Sequence, residues 1–184
     1  LTGHAEISGD AGVRVRADGR LDDPLTPGGS LTGRLDGEIP DLGDLLPLLI
    51  PGNSLSDISG RLTFDALIGG TRAAPRVSGE AAVHDGTLAL TDIGMRMSAI
   101  NLSARGNETA TLAVEGSARS GGDVSLAGSV ELTGEGAPAG TLRIRGRDLD
   151  AIRLPDRYVR ASPDITLSYR AGRLSVGGTI EIPK

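Results

Sequence analysis

Hydrophobic and polar residues alternate along much of the chain, and the stretch GGDVSLAGSVEL at residues 121–132 shows the pattern clearly. From Asp123 onwards its even positions are apolar, apart from Gly128, and its odd positions are polar or small. A period of two residues predicts a β-strand with one apolar face and one polar face.

The same alternation recurs from the first residues to the last and predicts roughly a dozen strands. Short turns between the alternating segments favour antiparallel neighbours that follow one another in sequence. A loose motif of glycine, small polar residue and hydrophobic residue, as in SGRLTF and AGSVEL, also recurs without a fixed repeat length. We therefore predict an all-β fold: one elongated, curled, mostly antiparallel sheet forming an open U-shaped trough.

Three local signals modify this picture. The stretch PDLGDLLPLLIPG has helical spacing with Asp41 as N-cap, and it predicts one short helix near residues 41–50, interrupted at Pro47. The tripeptide HDG at residues 84–86 predicts a tight hairpin turn, because Asp-Gly suits a type I′ turn. The apolar parity changes between Met97 and Ile100, which predicts a bulge, a bend or a new strand.

Composition narrows the functional classes. The formal net charge is −5 with acids and bases interspersed, and only three residues are aromatic, which argues against a nucleic-acid surface. The absence of cysteine excludes disulfides and thiolate metal sites. The chain begins at Leu1 without an initiator methionine and ends soon after a strand-like run, so we expect residues 1–184 to be one β-rich fragment of a longer protein.

Catalytic groups are scarce. His4 and His84 are the only histidines, and we expect His84 to be a solvated turn residue. No serine lies in a Gly-x-Ser-x-Gly elbow, and no calcium-loop spacing is present. We therefore predict that the chain is not an enzyme, with no catalytic residues, no metal site and no cofactor.

The apolar face of the predicted sheet must be covered. Burying a Leu or Val side chain stabilises the folded state by about 1.5–3 kcal/mol. Ten such side chains left in water would therefore lose about 15–30 kcal/mol of stabilisation, which is more than the typical net stability of a folded protein, about 5–15 kcal/mol. A closed sandwich or barrel, an apolar ligand, or segments outside the sheet would each cover it, and alternation alone favours the sandwich. The scarcity of aromatic residues, and small residues at in-phase positions, favour instead a roomy aliphatic lining; these small residues are Gly116, Ala118, Gly128 and Gly178.

The predicted lining of this hydrophobic groove consists of the large in-phase residues of the strands. They are Leu62, Phe64, Leu88, Leu90, Leu112, Val114, Val124, Leu126, Val130, Leu132, Leu142, Ile144, Leu167, Leu174, Val176 and Ile180.

Two segments carry a resemblance to a known family. Residues 55–106 and 157–183 resemble the C-terminal region of the TamB family, a component of the translocation and assembly module, which is related to the AsmA-like proteins. The resemblance covers most of the chain from about Leu31 to Lys184. The matching features are Ser59-Gly60, Pro75 with Ser78-Gly79, Asp85-Gly86, Gly94, Ile100 with Leu102, Ser162-Pro163-Asp164, Leu167, Gly178 and Ile182-Pro183.

The resemblance implies a "β-taco" in the periplasm of a Gram-negative bacterium, within a protein anchored in the inner membrane. It implies a TamA-like outer-membrane partner of the Omp85 type, and a groove that carries phospholipid acyl chains between the membranes or aids assembly of outer-membrane proteins. Two alternatives stay open: an interaction module that binds nascent outer-membrane strands at a sheet edge, and a closed, adhesin-like β-sandwich. A parallel β-solenoid would need a regular rung length, which the sequence lacks.

Overall fold

The computed structural model describes residues 1–9, 12–23, 28–44, 55–71, 73–132, 139–170 and 172–183. These residues form twelve strands of a single sheet. The strands are β1 (Thr2–Ser8), β2 (Arg14–Leu21), β3 (Leu31–Ile39), β4 (Leu55–Gly70), β5 (Pro75–Leu90), β6 (Met95–Thr109), β7 (Thr111–Ser120), β8 (Gly122–Glu131), β9 (Ala139–Arg147), β10 (Leu149–Leu154), β11 (Arg157–Arg170) and β12 (Arg173–Glu181).

The sheet is antiparallel and open. Strands β1 to β9 pair in sequence order, β9 pairs with β11, and β11 pairs with β12. Among the described strands, β1, β10 and β12 each have a single neighbour, and β1 and β12 do not pair with each other, so the sheet does not close into a barrel. The predicted all-β antiparallel trough is confirmed. The closed sandwich is wrong for the described residues, because no second sheet packs on the first.

The tight hairpin predicted at residues 84–86 is wrong. Strand β5 runs without interruption from Pro75 to Leu90, and Asp85 instead forms a bulge with a φ of 51°. The pairing of β5 with β6 shifts register between Val83 and Gly86, and resumes beyond it. Pairing with long strands on both sides keeps the chain extended, while aspartate tolerates the left-handed conformation that the bulge requires.

Bulges with positive φ recur in three neighbouring strands. Asp57 in β4, Asp85 in β5 and Ala99 in β6 have φ of 50°, 51° and 49°, each next to a register shift. A bulge reverses the face on which the following residues lie and bends the strand. The parity change between Met97 and Ile100 is therefore explained by the bulge at Ala99.

Strand β10 closes one end of the curl. It continues the line of β9 after Asp148, which has a φ of 53°, and pairs with the first part of β11. Its far end reaches the turn before β6, where the Arg153 N–H donates to the Ile93 carbonyl oxygen at 2.9 Å. The Ser120 hydroxyl at the end of β7 also donates to the Asp150 carbonyl oxygen. The sheet therefore bends until β10 lies across the ends of β6, β7 and β8.

Of the short helix expected near residues 41–50, the described residues show only a single 3-10 turn at Leu42–Asp44. The Asp41 side chain caps it, because its Oδ1 accepts the Gly43 N–H at 2.9 Å. Residues 45–50 lie outside the described residues. No helix in the described ranges is long and apolar enough to cross a membrane.

The sheet has almost no enclosed core. The chain exposes 11747 Å², whereas a compact monomer of its mass exposes about 8,300 Å². The buried hydrophobic residues are Ile39, Ala82, Ala89, Ala118, Leu149 and Ala161. Because most of them are alanines, the large apolar side chains are left half-buried on one face of the sheet.

Candidate apolar binding site

Direct strand partners lie on the same face of an antiparallel sheet, so the register reveals how the apolar side chains are arranged. Three parallel rows cross the sheet on one face, and we call this face the trough. The first row is Ile39, Leu62, Val83, Leu102, Gly116, Leu126, Ile144, Ile165 and Gly178. The second row is Ile7, Val15, Gly37, Phe64, Ala81, Ala104, Val114, Gly128, Leu142, Leu167 and Val176. The third row is Ala5, Ala17, Leu35, Ala66, Gly79, Gly106, Leu112, Val130, Gly140, Tyr169 and Leu174.

The rows bring together eleven of the sixteen residues predicted to line the groove. Those in the first row are Leu62, Leu126 and Ile144; those in the second are Phe64, Val114, Leu142, Leu167 and Val176; those in the third are Leu112, Val130 and Leu174.

The other five predicted residues lie beyond the three rows. Val124 pairs with Ala118, and Ile180 pairs with Pro163, both just outside the first row. Leu132 follows β8 beyond the third row, where its N–H donates to the Ala110 carbonyl oxygen. Leu88 and Leu90 pair with Met97 and Met95 past the bulge in β5.

Part of the trough is an apolar cavity of about 520 Å³, within the range of small-molecule pockets. Four predicted residues line it: Leu88, Val124, Leu126 and Ile144. Six consecutive strands, β4 to β9, contribute residues to the wall of this one cavity. Such a wall requires the curl that the bulges and β10 produce.

Sequence reasoning missed several residues of this cavity. They are Leu42, Ile58, Val83, Met97, Ile100 and Leu102. The bulges explain the omission, because they put Val83 and Leu88 on the same side of the sheet although their positions differ in parity. The parity change at Ala99 was visible in the sequence, but a bulge could not be distinguished there from a new strand.

The trough is open towards β12. Leu174 and Val176 are each 64% exposed and Ile180 is 59% exposed, whereas the predicted residues of β4 to β9 are half-buried. The predicted lining therefore has a sheltered middle and an uncovered end.

The expected extra room at glycine positions is wrong for three of the four small residues. A methyl group on Gly116 would overlap Leu102 Cδ2, and one on Gly128 would overlap the Thr141 carbonyl oxygen. At Gly178 it would overlap the Asp164 carbonyl oxygen. Side chains or backbone of neighbouring strands already occupy this space, so the glycines allow close approach rather than a wider groove.

The opposite face of the sheet is polar and carries ion pairs that join neighbouring strands. Arg143 in β9 donates two hydrogen bonds of 2.7 Å to the two carboxylate oxygens of Asp164 in β11. These bonds, with the charges of Arg143 and Arg145, hold the pKa of Asp164 below its ordinary value. Similar cross-strand pairs join Arg105 to Glu80 and Arg34 to Asp65, at 2.8 and 2.9 Å.

The two histidines lie far apart in the sheet order, on β1 and β5. His4 contacts Asp18, and His84 lies within 3.4 Å of the Thr63 hydroxyl. His84 is exposed, as expected, but it lies within a strand rather than at a turn. In the part of the chain that the structure describes, no group of three or more His, Asp or Glu side chains is arranged to hold a metal ion.

No protein-family model, no curated protein and no solved structure matches this chain. The geometry of the trough therefore carries the functional argument.

Proposed function

We propose that this chain is part of a TamB-like periplasmic protein whose trough holds phospholipid acyl chains on their way between the inner and outer membranes. The protein is anchored in the inner membrane and works with a TamA-like outer-membrane protein of the Omp85 type. The chain itself performs no bond-making step.

The observation that carries this proposal is the continuity of the apolar face. Three adjacent rows cross the sheet, and no second layer of described residues covers them. Apolar side chains left in water cost about 25 cal/mol per Å², so a face of this kind is stabilised by an apolar occupant. The ion pairs on the opposite face keep that face in water.

The dimensions also support an acyl chain. Eleven strands lie side by side from β1 to β12, so the second and third rows, which cross all of them, are about 48 Å long at about 4.8 Å per strand. The hydrocarbon core of a bilayer is about 30 Å thick, so one acyl chain extends about 15 Å. An acyl chain lying along a row therefore crosses about three strands and leaves room for others end to end.

The second candidate function is assembly of outer-membrane proteins, in which a nascent strand pairs with a free edge of the sheet. The single neighbours of β1 and β12 favour it, because an edge strand presents unpaired backbone groups. Crosslinking from edge positions to a barrel precursor tests this function separately from lipid binding.

The lipid proposal is tested with two variants on adjacent residues of β8. Leu126 lies on the trough and lines the cavity, while its neighbour Ala127 lies on the polar face and is exposed. Leu126→Arg places a charge in the apolar lining, and Ala127→Arg adds the same charge outside it. Binding of a fluorescent fatty acid, and co-purified lipid in native mass spectrometry, are measured for the wild type and both variants.

We expect the wild type and Ala127→Arg to bind alike and Leu126→Arg to lose at least tenfold in affinity, with unchanged circular dichroism. Equal binding by the two variants, or no binding by the wild type, contradicts the proposal. Loss of β signal in Leu126→Arg moves the comparison to Val130→Arg and Ser129→Arg, the corresponding pair further along β8.

A further inference from the structure

The three left-handed residues of β4, β5 and β6 stand in a fixed relation to the apolar cavity. They are Asp57, Asp85 and Ala99, and we call them the bulge line. None of the three lines the cavity, but the residue that follows each of them does. Those following residues are Ile58, Gly86 and Ile100.

The bulge line does not decide which side chains face the trough. In β6, Met97, Ile100 and Leu102 all line the cavity, and the strand would alternate without a break if Ala99 were absent. The same holds for β4 without Asp57 and for β5 without Asp85. What the extra residue changes is the shape of the strand, because a bulge bends it and increases its twist.

The bulges of neighbouring strands compensate one another in the register. Val83 pairs with Leu102 on one side of the bulges in β5 and β6, and Leu88 pairs with Met97 on the other. Both strands therefore use the same number of residues between the two pairs. Strands β4 and β5 match in the same way, so the three strands bend together and stay paired on both sides of the bend.

Side chains hold the backbone of the bulge line in place. The Thr87 hydroxyl donates to the Asp57 carbonyl oxygen at 2.7 Å. The Asp85 N–H donates to Asn101 Oδ1 at 3.2 Å, and Asn101 Nδ2 donates to the Ala99 carbonyl oxygen at 3.0 Å. Backbone groups that leave the ladder at a bulge need such partners. Asn101 thus fixes two bulges at once, although it is exposed and does not line the cavity.

The lining of the cavity suits an uncharged hydrocarbon. Among the described residues it contains no charged side chain and consists largely of Leu, Ile, Val and Met. A charged headgroup would lose its water there without gaining a partner, whereas an alkyl chain needs none. Left-handed non-glycine residues carry strain, and such strain is concentrated at functional sites.

The length of the cavity wall suits one alkyl chain. Six consecutive strands line the cavity, which corresponds to about 24 Å at about 4.8 Å per strand. One acyl chain extends about 15 Å, half of the hydrocarbon core of a bilayer. The wall is therefore longer than one chain and shorter than two placed end to end.

We propose that the bulge line shapes this cavity into a single tight site for one alkyl chain of a lipid, whose headgroup stays outside in water. The rest of the trough holds such chains less tightly. This inference rests on the proposed lipid-binding function and adds to it a location, a stoichiometry and a positioning residue, Asn101.

Deleting Asp57, Asp85 and Ala99 together tests the role of the bulge line. The triple deletion restores a regular register from β4 to β6, keeps the apolar residues on the trough face and removes no lining residue. Titration with cis-parinaric acid, a fluorescent fatty acid, measures the affinity and the number of sites. We expect the wild type to bind one probe per chain tightly, and the triple deletion to lose at least tenfold in affinity with unchanged circular dichroism.

Deletion of Glu108 is the matched control. Glu108 is another left-handed residue of β6, with a φ of 54°, and it lies beside the register shift between Val77 and Ser78, towards the opposite end of the strand from Met97. Removing it should leave the affinity unchanged. Equal affinity of the wild type and the triple deletion, or equal losses in the triple deletion and the Glu108 deletion, overturns the proposal.

Asn101→Ala tests the positioning role without altering the lining or the chain length. We expect at least a threefold loss of affinity, measured well below the melting temperature so that a general loss of stability does not contribute. Asn107→Ala should bind like the wild type, because Asn107 is exposed on the same strand and makes no side-chain hydrogen bond within the described chain. If the triple deletion loses its β signal, this pair decides: equal affinity of the two variants overturns the proposal.

The outcomes separate this inference from the proposed function. Several probes bound per chain with equal affinity, or a loss of binding in Leu126→Arg with none in the triple deletion, overturns the single site and leaves lipid binding intact. No binding by the wild type overturns the proposed function and this inference together.

Discussion

The glycine at position 128 gives the strongest test of how the trough is packed. Gly128 faces Leu142 across the β8–β9 pair, in the second row of the trough. A Cβ added there would overlap the Thr141 carbonyl oxygen and lie 2.8 Å from Leu142 Cα. Both atoms belong to the backbone of β9, so no side-chain rotation can relieve the contact.

The size of the effect follows from this geometry. Carbon atoms pack best at about 3.5–4.0 Å, so the two strands must separate by about 0.7 Å or more at this point. Overpacking of this kind costs about 1–3 kcal/mol. Replacing glycine in an ordinary strand conformation stabilises by about 0.4–1 kcal/mol through the unfolded chain. We expect Gly128→Ala to lower the free energy of unfolding by about 1–2 kcal/mol.

Gly116 provides the matched comparison, because it also lies in the trough and opposite a leucine. There the atom that overlaps the added Cβ is Leu102 Cδ2, the end of a side chain that is 38% exposed, while the nearest backbone atom, the Asn101 carbonyl oxygen, lies at 3.1 Å and needs to move by only a few tenths of an ångström. An unfavourable rotamer costs about 0.5–1.5 kcal/mol, which the gain from removing glycine largely offsets. We expect Gly116→Ala to change the stability by less than about 0.5 kcal/mol.

Urea unfolding followed by circular dichroism measures both variants against the wild type. With a slope of about 1–3 kcal/mol per molar urea, Gly128→Ala should move the midpoint down by about 0.5–1 M. A neutral Gly128→Ala, or equal losses in the two variants, would refute the reasoning that β9 backbone fills the space beside Gly128.

Two further predictions concern the bulge in β5 and the polar face. Asp85→Val should destabilise the chain by about 1–2 kcal/mol, because a β-branched residue is strained at a φ of 51°, while Asp85→Gly should not; thermal melts of the two variants compare them. The pKa of Asp164 is lowered in the folded chain, first by the hydrogen bonds from Arg143, so its ionised form contributes stability above the ordinary value of about 3.9 that is lost as pH falls through the lower folded pKa. Asp164→Asn should therefore be less stable than the wild type near neutral pH, with a difference that shrinks below about pH 4, and urea midpoints at several pH values check this.

Much of the architecture could be predicted from alternation alone. Because side chains on a strand alternate between faces, a correct parity assigns each residue to a face without knowledge of the strand order. For this reason eleven predicted residues, such as Phe64 and Leu142, lie in the three rows of the trough. The antiparallel order followed from turns too short for crossover connections.

Bulges and glycine contacts could not be predicted in the same way. Asp85-Gly86 carries the same local signal whether the chain turns or bulges, and only the pairing of β5 with both neighbours decides between them. Likewise, a glycine on the apolar face suggests empty space in a sequence, but the space is filled by atoms of another strand, as at Gly128. Both errors arise because alternation describes one strand and these features depend on two or three.

A sheet with so little buried volume cannot be stabilised by an enclosed core alone. Contacts between side chains within the three rows contribute part of the remaining stability. Each large side chain of the trough has a neighbour on the adjacent strand, and where that neighbour is glycine the side chain lies over it, as Phe64 does over Gly37. Such cross-strand contacts contribute about 0.2–1 kcal/mol each, so order spreads along the sheet without a second layer. The same contacts leave the outer surface of every row in water, and that surface is what an apolar ligand would cover. Under the proposed function, stability and binding would depend on the same side chains, so Leu126→Arg would remove a ligand contact and a strand contact together, whereas Ala127→Arg would remove neither.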